Sequence, residues 1–413
     1  MKKRNIFNII FVLLLAGIIS MVFLACDEND GDNSNKNSGK NGGENEETAF
    51  LVRQAVATRN GIIVIKKDGS LWAIGLNGFG QLGNGTTSSI SNFTKIGSDT
   101  WSSVSSSTSN HVLGIKSDGS LWAWGRNEYS QLGDGTAVNK NIPTRIGTDT
   151  NWKSVFAGYD NHSFAIKLNN QLWGWGANYI GQIGDGTTGS FIDPSTNKSS
   201  PVQVGSNTWT SISAGDGFTV AIRSDSTLWT WGRNEDGILG DGTTEPKNIP
   251  TQIGTDTWKS MSAGAWHVVA IRSDGSLWAW GDNAPNGVLG GGTNGSSGNK
   301  NVPTQIGTDT NWVSVSASGQ HNMAIKQDGS LWGWGSNFNG QLGDGTSGLS
   351  EGKNVPTRIG TETNWLSVTA GAHFTIAIKK DETLWVWGAN NAGQLGNLVE
   401  SPLSSIPVRV ELP

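Results

Sequence analysis

Apolar and polar positions alternate along this chain in short bursts separated by turn-forming residues. Trp152-Lys153-Ser154-Val155-Phe156 alternates, His162 to Lys167 does so again, and Leu172-Trp173-Gly174-Trp175-Gly176 forms a third run. Such a period of two over five or six residues predicts strands, not helices. A fourth short strand is predicted at Pro201-Val202-Gln203-Val204, its leading proline suiting a strand start or an edge. Tyr159-Asp160-Asn161 and Leu168 to Gln171 supply the intervening turns. In most other copies the second turn contains Asp-Gly, as at Asp118-Gly119 and Asp274-Gly275. That dipeptide between alternating runs signals a two-residue hairpin, since both positions adopt positive φ.

The set recurs seven times, each copy marked by Leu-Trp: Leu71-Trp72, Leu121-Trp122, Leu172-Trp173, Leu228-Trp229, Leu277-Trp278, Leu331-Trp332 and Leu384-Trp385. Successive copies lie 50, 51, 56, 49, 54 and 53 residues apart. A period in that range with four strands per copy predicts an all-β fold, a seven-bladed β-propeller of four-stranded antiparallel blades, over residues 49–413. The strand at Leu51 and the final Pro407 to Val410 strand are expected to share one closing blade, joining the two ends of the ring. The tryptophans follow the same period. Of 20 Trp, all but Trp266 fall in three repeat slots, with Ile74 and Leu51 in two slots of the first copy, so most are core residues.

The segment after each Leu-Trp pair is quoted best from Trp334-Gly335-Ser336-Asn337-Phe338-Asn339-Gly340-Gln341-Leu342-Gly343-Asp344-Gly345-Thr346. Preceded by Asp-Gly-Ser-Leu-Trp, it resembles the repeat of the regulator of chromosome condensation family and covers Leu51 to Pro413. The resemblance implies a seven-bladed propeller. Kelch repeats carry paired glycines that this slot lacks, and the Trp-Asp ending of WD40 units does not occur. Function does not travel with a fold. The family's eukaryotic founder is an exchange factor that uses an inserted β-hairpin wedge, and no copy here has a strand-like insert. A plant photoreceptor of this fold uses Gly-Trp-Arg-His-Thr, which Ala265-Trp266-His267 approaches once, without the Arg. A secreted bacterial member inhibits β-lactamases through loop aromatics, and is the nearest case in compartment.

Composition narrows the classes. Gly at 58 residues against 11 Pro fits many tight turns. Net charge is −5, with no basic cluster beyond the N-terminus, which argues against nucleic acid as a partner. Lys2, Lys3 and Arg4 precede an apolar run from Ile6 to Ala25, the layout of a secretory signal. Phe23-Leu24-Ala25-Cys26 resembles a lipoprotein lipobox, and Cys26 is the one cysteine, so it is the expected lipid attachment site. The expected organisation is a signal over 1–26, a polar spacer over 27–48 with no aliphatic or aromatic residue, and the propeller over 49–413. The implied location is extracytoplasmic, on a bacterial membrane.

Candidate chemistry is sparse. His111, His162, His267 and His321 share one slot, ten residues before Leu of Leu-Trp. A ring would separate them, so a structural role bonding a turn is expected, with metal ligation the alternative. Asp134, Asp185, Asp241 and Asp344 begin Asp-Gly-Thr turns, with a calcium site as the alternative. There is no nucleophile elbow, phosphate loop or His-Glu-x-x-His. No catalytic residue, metal or cofactor is assigned. Antiparallel strands place first-to-second and third-to-fourth loops on one face, where aromatics and length variation gather. Phe79, Tyr129, Tyr159, Tyr179, Trp266 and Phe338 are therefore the candidate binding residues, for a protein or glycan ligand of a monomeric propeller. Two other classes stay open: a hydrolase or lyase using acids at the central mouth, and a structural envelope protein.

Replacing Cys26 with Ala is expected to abolish acyl labelling and to move the chain from the detergent phase to the aqueous phase, or to block its processing. Labelling and membrane association unchanged in Cys26→Ala would overturn the lipid assignment.

Overall fold

The computed structural model describes residues 51–190, 194–284, 286–396 and 401–413. The signal, Cys26 and the polar spacer lie outside them. Among the described residues two short 3-10 turns, Pro194–Thr196 and Ser296–Gly298, are the only helical pieces, and both sit in the longer loops of copies three and five. No described helix is long and apolar enough to cross a membrane.

Each copy of the repeat is one antiparallel set of four strands paired in chain order. Unit 1 is Val52–Thr58, Gly61–Lys66, Leu71–Gly75 and Ile90–Lys95. Unit 7 is Trp365–Ala370, Phe374–Lys379, Leu384–Ala389 and Leu403–Val410. Units 3 to 5 run together as one ten-stranded sheet, because two 17-residue strands, Lys198–Ala214 and Lys247–Ala263, each serve two units. There the third strand begins early and carries the ladder across the link, through Gln171 opposite Thr208 and Thr227 opposite Thr257. The expected shared closing blade is not formed: the terminal strand pairs only within unit 7 and the first strand only within unit 1. The four strands of each end pair with one another, so closure falls to side chains and to a backbone bond outside the sheets.

The first strand of every unit lies innermost, and Ala57, Ser106, Ala157 and their counterparts to Ala370 surround an axial cavity of about 100 Å³. The apolar core lies between units, not within them. One cluster joins Leu113, Ile115 and Leu121 of unit 2 to Trp152, Val155 and Trp175 of unit 3, and seven such clusters follow the ring. Deleting one fully buried ring such as Trp175 would cost about 3–5 kcal/mol.

A set of buried polar groups finds partners across these seams, although the indole N–H groups of Trp101, Trp152, Trp209, Trp258, Trp312 and Trp365 are buried without one. The carbonyl of Gln131, in the Gln-Leu-Gly turn of unit 2, accepts Trp175 Nε1 at 2.9 Å and Ser163 Oγ at 2.8 Å from unit 3. Gln182 does the same for Trp231 and Thr219, and Gln341 for Trp387 and Thr375. The glycine of that turn has no room for a side chain: a Cβ on Gly133, at φ +74°, would stand 2.7 Å from the Trp175 indole. Nearer the axis Ser105 Oγ accepts the Ala157 amide at 2.9 Å, and Ser213, Ser262 and Ser316 repeat the latch.

The slot histidines complete the seam. His111 Nε2 lies 2.9 Å from Ser163 Oγ, His267 Nε2 2.8 Å from Asn322 Oδ1, and His321 Nε2 3.0 Å from Thr375 Oγ1. Since Ser163 and Thr375 donate to turn carbonyls, these rings donate from Nε2. The turn contacts expected of them exist as well, Nδ1 of His162 lying 2.7 Å from the Asp160 carbonyl and that of His321 2.9 Å from Ser318 Oγ. The cross-seam bond is the part that the sequence reading lacked. A rule links neighbours: each slot histidine faces Ser, Thr or Asn in the next unit, whereas Phe218 meets Val268 and Phe374 meets Ile62. The last pair closes the ring, in a cluster that also holds Ile74, Phe93, Leu395 and Leu412. Val52 N to the Glu382 carbonyl at 3.1 Å, and Lys67 Nζ to Glu382 at 3.2 Å, complete that seam.

Two outcomes follow from the seam. His267→Phe strands the Asn322 oxygen and should lower stability by about 1–3 kcal/mol, and adding Asn322→Val should recover most of it; additive losses in denaturant melts would refute the pairing. Burial holds His111 and His321 down to about 3 from 6.5. The unfolded chain therefore takes up these protons first as pH falls, so their stabilisation is whole above about pH 6.5 and is lost progressively toward pH 3. Melting temperature should already decline between pH 6.5 and 4.5, and a flat profile there would contradict the buried neutral rings.

Candidate ligand-binding mouth

The loops joining first to second strands meet around the axis on one face of the ring. Because strands alternate in direction and the Gln-Leu-Gly turn adds none, the loops after each third strand emerge on that same face. The two residues before the histidine slot form its inner circle: Arg59-Asn60, Ser109-Asn110, Asp160-Asn161, Asp216-Gly217, Ala265-Trp266, Gly319-Gln320 and Ala372-His373. One or both residues of every pair except Ala265-Trp266 line a cavity of about 320 Å³, to which Arg126, from the loop after the third strand of unit 2, contributes.

Tyr159 is the floor of this cavity and the roof of the axial one, since it lines both. Its amide donates to the Ala214 carbonyl of unit 4 at 3.0 Å. Its phenol reaches across the axis to unit 6, where a Cβ on Gly319 would lie 2.6 Å from the hydroxyl. Gly319 is thus the seat that lets the ring of Tyr159 cross the mouth.

Two carboxylates converge here from units 3 and 4. Asp160 accepts the Tyr179 hydroxyl and, at 3.0 Å, Asn161 Nδ2. Asp216 Oδ2 accepts Trp266 Nε1 at 2.9 Å, with Arg233 Nη1 at 3.7 Å. Burial, and then the Asp160 charge, raise the Asp216 carboxyl above its usual range. Burial followed by the same Asp160 raises the Tyr179 phenol. On the other side burial, then Arg59, depress His373.

The structure places the six candidate residues as follows. Tyr159 is in the floor, half-buried. Tyr179 and Trp266 flank the carboxylates through their polar ends, and Trp266 is 46% exposed. Phe79 and Tyr129 both lie against Arg126, whose guanidinium carbon is 5.3 and 5.8 Å from their ring centres. Phe338 stands apart on unit 6, 53% exposed. The sequence reading missed Arg59, Arg126, Asp160 and Asp216. Reading down the column two residues before the histidine slot exposes three of them, since that column is charged in units 1, 3 and 4 and otherwise Ser, Ala or Gly.

The repeated Asp-Gly-Thr turns are internally satisfied. Asp134 Oδ1 accepts the Thr136 amide at 3.0 Å, its hydroxyl at 2.8 Å and Asn127 Nδ2 at 3.1 Å, while Lys140 Nζ stands 3.2 Å from Oδ2. Asp185, Asp241 and Asp344 repeat this with Lys198, Lys247 and Lys353. Each of these carboxylates thus already has an ammonium as its counter-charge. Among the described residues no three of His, Cys, Asp and Glu are grouped to hold a metal.

A family model described as RCC1-like domain matches residues 160–413, and models of the regulator of chromosome condensation (RCC1) repeat match 118–166 and 101–131. The ultraviolet-B receptor UVR8 of Arabidopsis thaliana is 28% identical over 242 residues, 57% of this chain and 53% of its own. The human E3 ubiquitin-protein ligase HERC2 is 27% identical over 251 residues, 57% of this chain and 5% of its own. The match thus spans about half of the plant receptor and a small part of the ligase. Yeast RCC1 (Prp20), solved bound to Kap60, superposes with a TM-score of 0.71 at 18% identity, covering 94% of this chain and 91% of that one. That likeness shows the β-propeller fold.

Proposed function

The chain belongs to the family of RCC1-like domains, and from that premise we propose a lipid-anchored, extracytoplasmic binding propeller that engages a protein or glycan through its loop-face mouth. The observation that carries the reading is the mouth itself. A cavity of about 320 Å³, lined by charged groups and floored by Tyr159, opens beside Trp266, which is about half exposed. An exposed Trp beside a concave polar centre is a usual anchor of an interface. The names of two relatives support a protein as ligand: one is a ubiquitin-protein ligase, and the yeast protein was solved with Kap60 bound. Cys26, following an apolar run, supports the membrane tether, and the polar spacer gives the propeller reach from it. The propeller acts as a monomer and without a cofactor in this reading, and needs no nucleic acid.

A hydrolase or lyase reading is favoured by one observation, the convergence of Asp160 and Asp216 with the Asp216 carboxyl raised. Both carboxylates are already held by protein donors, Tyr179 and Trp266, which suits a fixed recognition surface as well as a catalytic pair. Turnover of chromogenic glycosides or esters by the wild type, abolished in Asp160→Asn/Asp216→Asn, would displace the binding reading.

The direct test is capture from the surface of intact producing cells, using the mature chain as bait. Tyr129→Ala/Trp266→Ala should lose the partner that the wild type retains, with little change in melting temperature. Substitutions confined to the opposite face, such as Asp118→Ala/Asp274→Ala in the hairpin turns, should retain it. Loss in the second variant alone would place the site on the other side of the ring.

A further inference from the structure

The two signs of charge in the mouth are sorted into adjoining arcs. Arg126 of unit 2 and Arg59 of unit 1 form one arc, beside the imidazole of His373 of unit 7, and Asp160 and Asp216 of units 3 and 4 form the next. Burial and then Arg59 hold His373 toward its neutral form, so the positive charge of the first arc is that of the two arginines. In the second arc the like charge of Asp160, after burial, raises Asp216. Tyr159, between the arcs, responds to both: beyond the rise due to burial, Asp216 pushes its phenol up and Arg59 pulls it down.

The protein compensates these charges only in part. Arg126 pairs with Glu128 at 2.5 Å on the outer rim, and Asp216 has Arg233 at 3.7 Å. Arg59 is exposed, and among the described residues no carboxylate lies within 4.0 Å of it. A ligand of a single sign would gain on one arc and be repelled by the other, whereas a ligand carrying both signs gains twice.

We propose that the mouth recognises a peptide segment in which a basic and an acidic side chain are adjacent, the base against Asp160 and Asp216 and the acid against Arg59 and Arg126. The proposal rests on the binding reading above and adds the chemistry of the ligand. Trp266 contributes to the basic half. Its indole N–H is committed to Asp216 while nearly half of its surface is open, so its ring face is presented next to the carboxylates. The cavity matches a pair of side chains from a protruding loop, not a whole domain.

The test is titration of the full chain with N-acetyl dipeptide amides, followed by Trp fluorescence and calorimetry. The Lys-Glu peptide should bind about tenfold more tightly than Lys-Lys or Glu-Glu, as two partly exposed charge pairs would give. Asp160→Asn/Asp216→Asn should bring Lys-Glu down to the level of Glu-Glu, and Arg59→Gln/Arg126→Gln should bring it down to Lys-Lys. The peptide ranking on the wild type stands even where a variant folds poorly. A single-sign peptide binding as tightly as Lys-Glu, a ranking unchanged in both variants, or no Lys-Glu binding at millimolar concentration overturns the proposal. If the aromatic variant still loses its partner in the capture experiment while the peptides show no preference, the face is right and the ligand chemistry is wrong.

Discussion

A buried tryptophan N–H in this fold has no acceptor inside its own unit. Trp175, Trp231, Trp334 and Trp387 each donate to a turn carbonyl of the preceding unit, at 2.8 to 2.9 Å. The same carbonyls accept Ser163, Thr219, Asn322 and Thr375. In these four seams one backbone oxygen thus ties two side chains of one blade to the turn of the blade before it. A unit on its own would expose half of an apolar cluster and leave these donors unpaired, each at a cost of about 1–3 kcal/mol. The mouth depends on this arrangement, since its residues lie on loops whose positions relative to one another are set only by the seams.

The closing seam solves the same problem without polar groups. Ile74 takes the tryptophan slot, Ile62 the hydroxyl position and Phe374 the histidine slot, so no donor there requires the absent partner. The ends of the chain need no shared sheet because this patch is apolar throughout and is fastened by Val52 and Lys67 to Glu382 and by Lys66 to the Pro413 carbonyl at 2.6 Å.

Much of the fold was legible in the sequence because period and alternation are local. The strands at His162–Lys167 and Trp152–Ala157 stand where the alternation puts them, and the Trp slots are core. What was not legible is whatever lies between units. The partner of His111 is Ser163, 52 residues away, and nothing local to either signals the bond. Ile74 and Phe374 looked like lapses in the repeat, yet they are the closing seam. The mouth was half legible. Aromatic residues on variable loops pointed to the face, but Asp160 and Asp216 meet only because consecutive blades bring equal positions of different copies together. Phe338 shows the limit of that signal, since the same criterion selected a residue away from the mouth.

The histidine rule also bears on how such a gene can change length. Recombination between repeats that removed unit 3 would set His111 against Thr219, a polar match. Removal of unit 5 would set Phe218 against Asn322, whose oxygen then has no ring nitrogen to meet. The copies are therefore not interchangeable beads. Each carries on one edge a polar or an apolar key, and a crossover keeps the seam matched where the new neighbour is of the same kind.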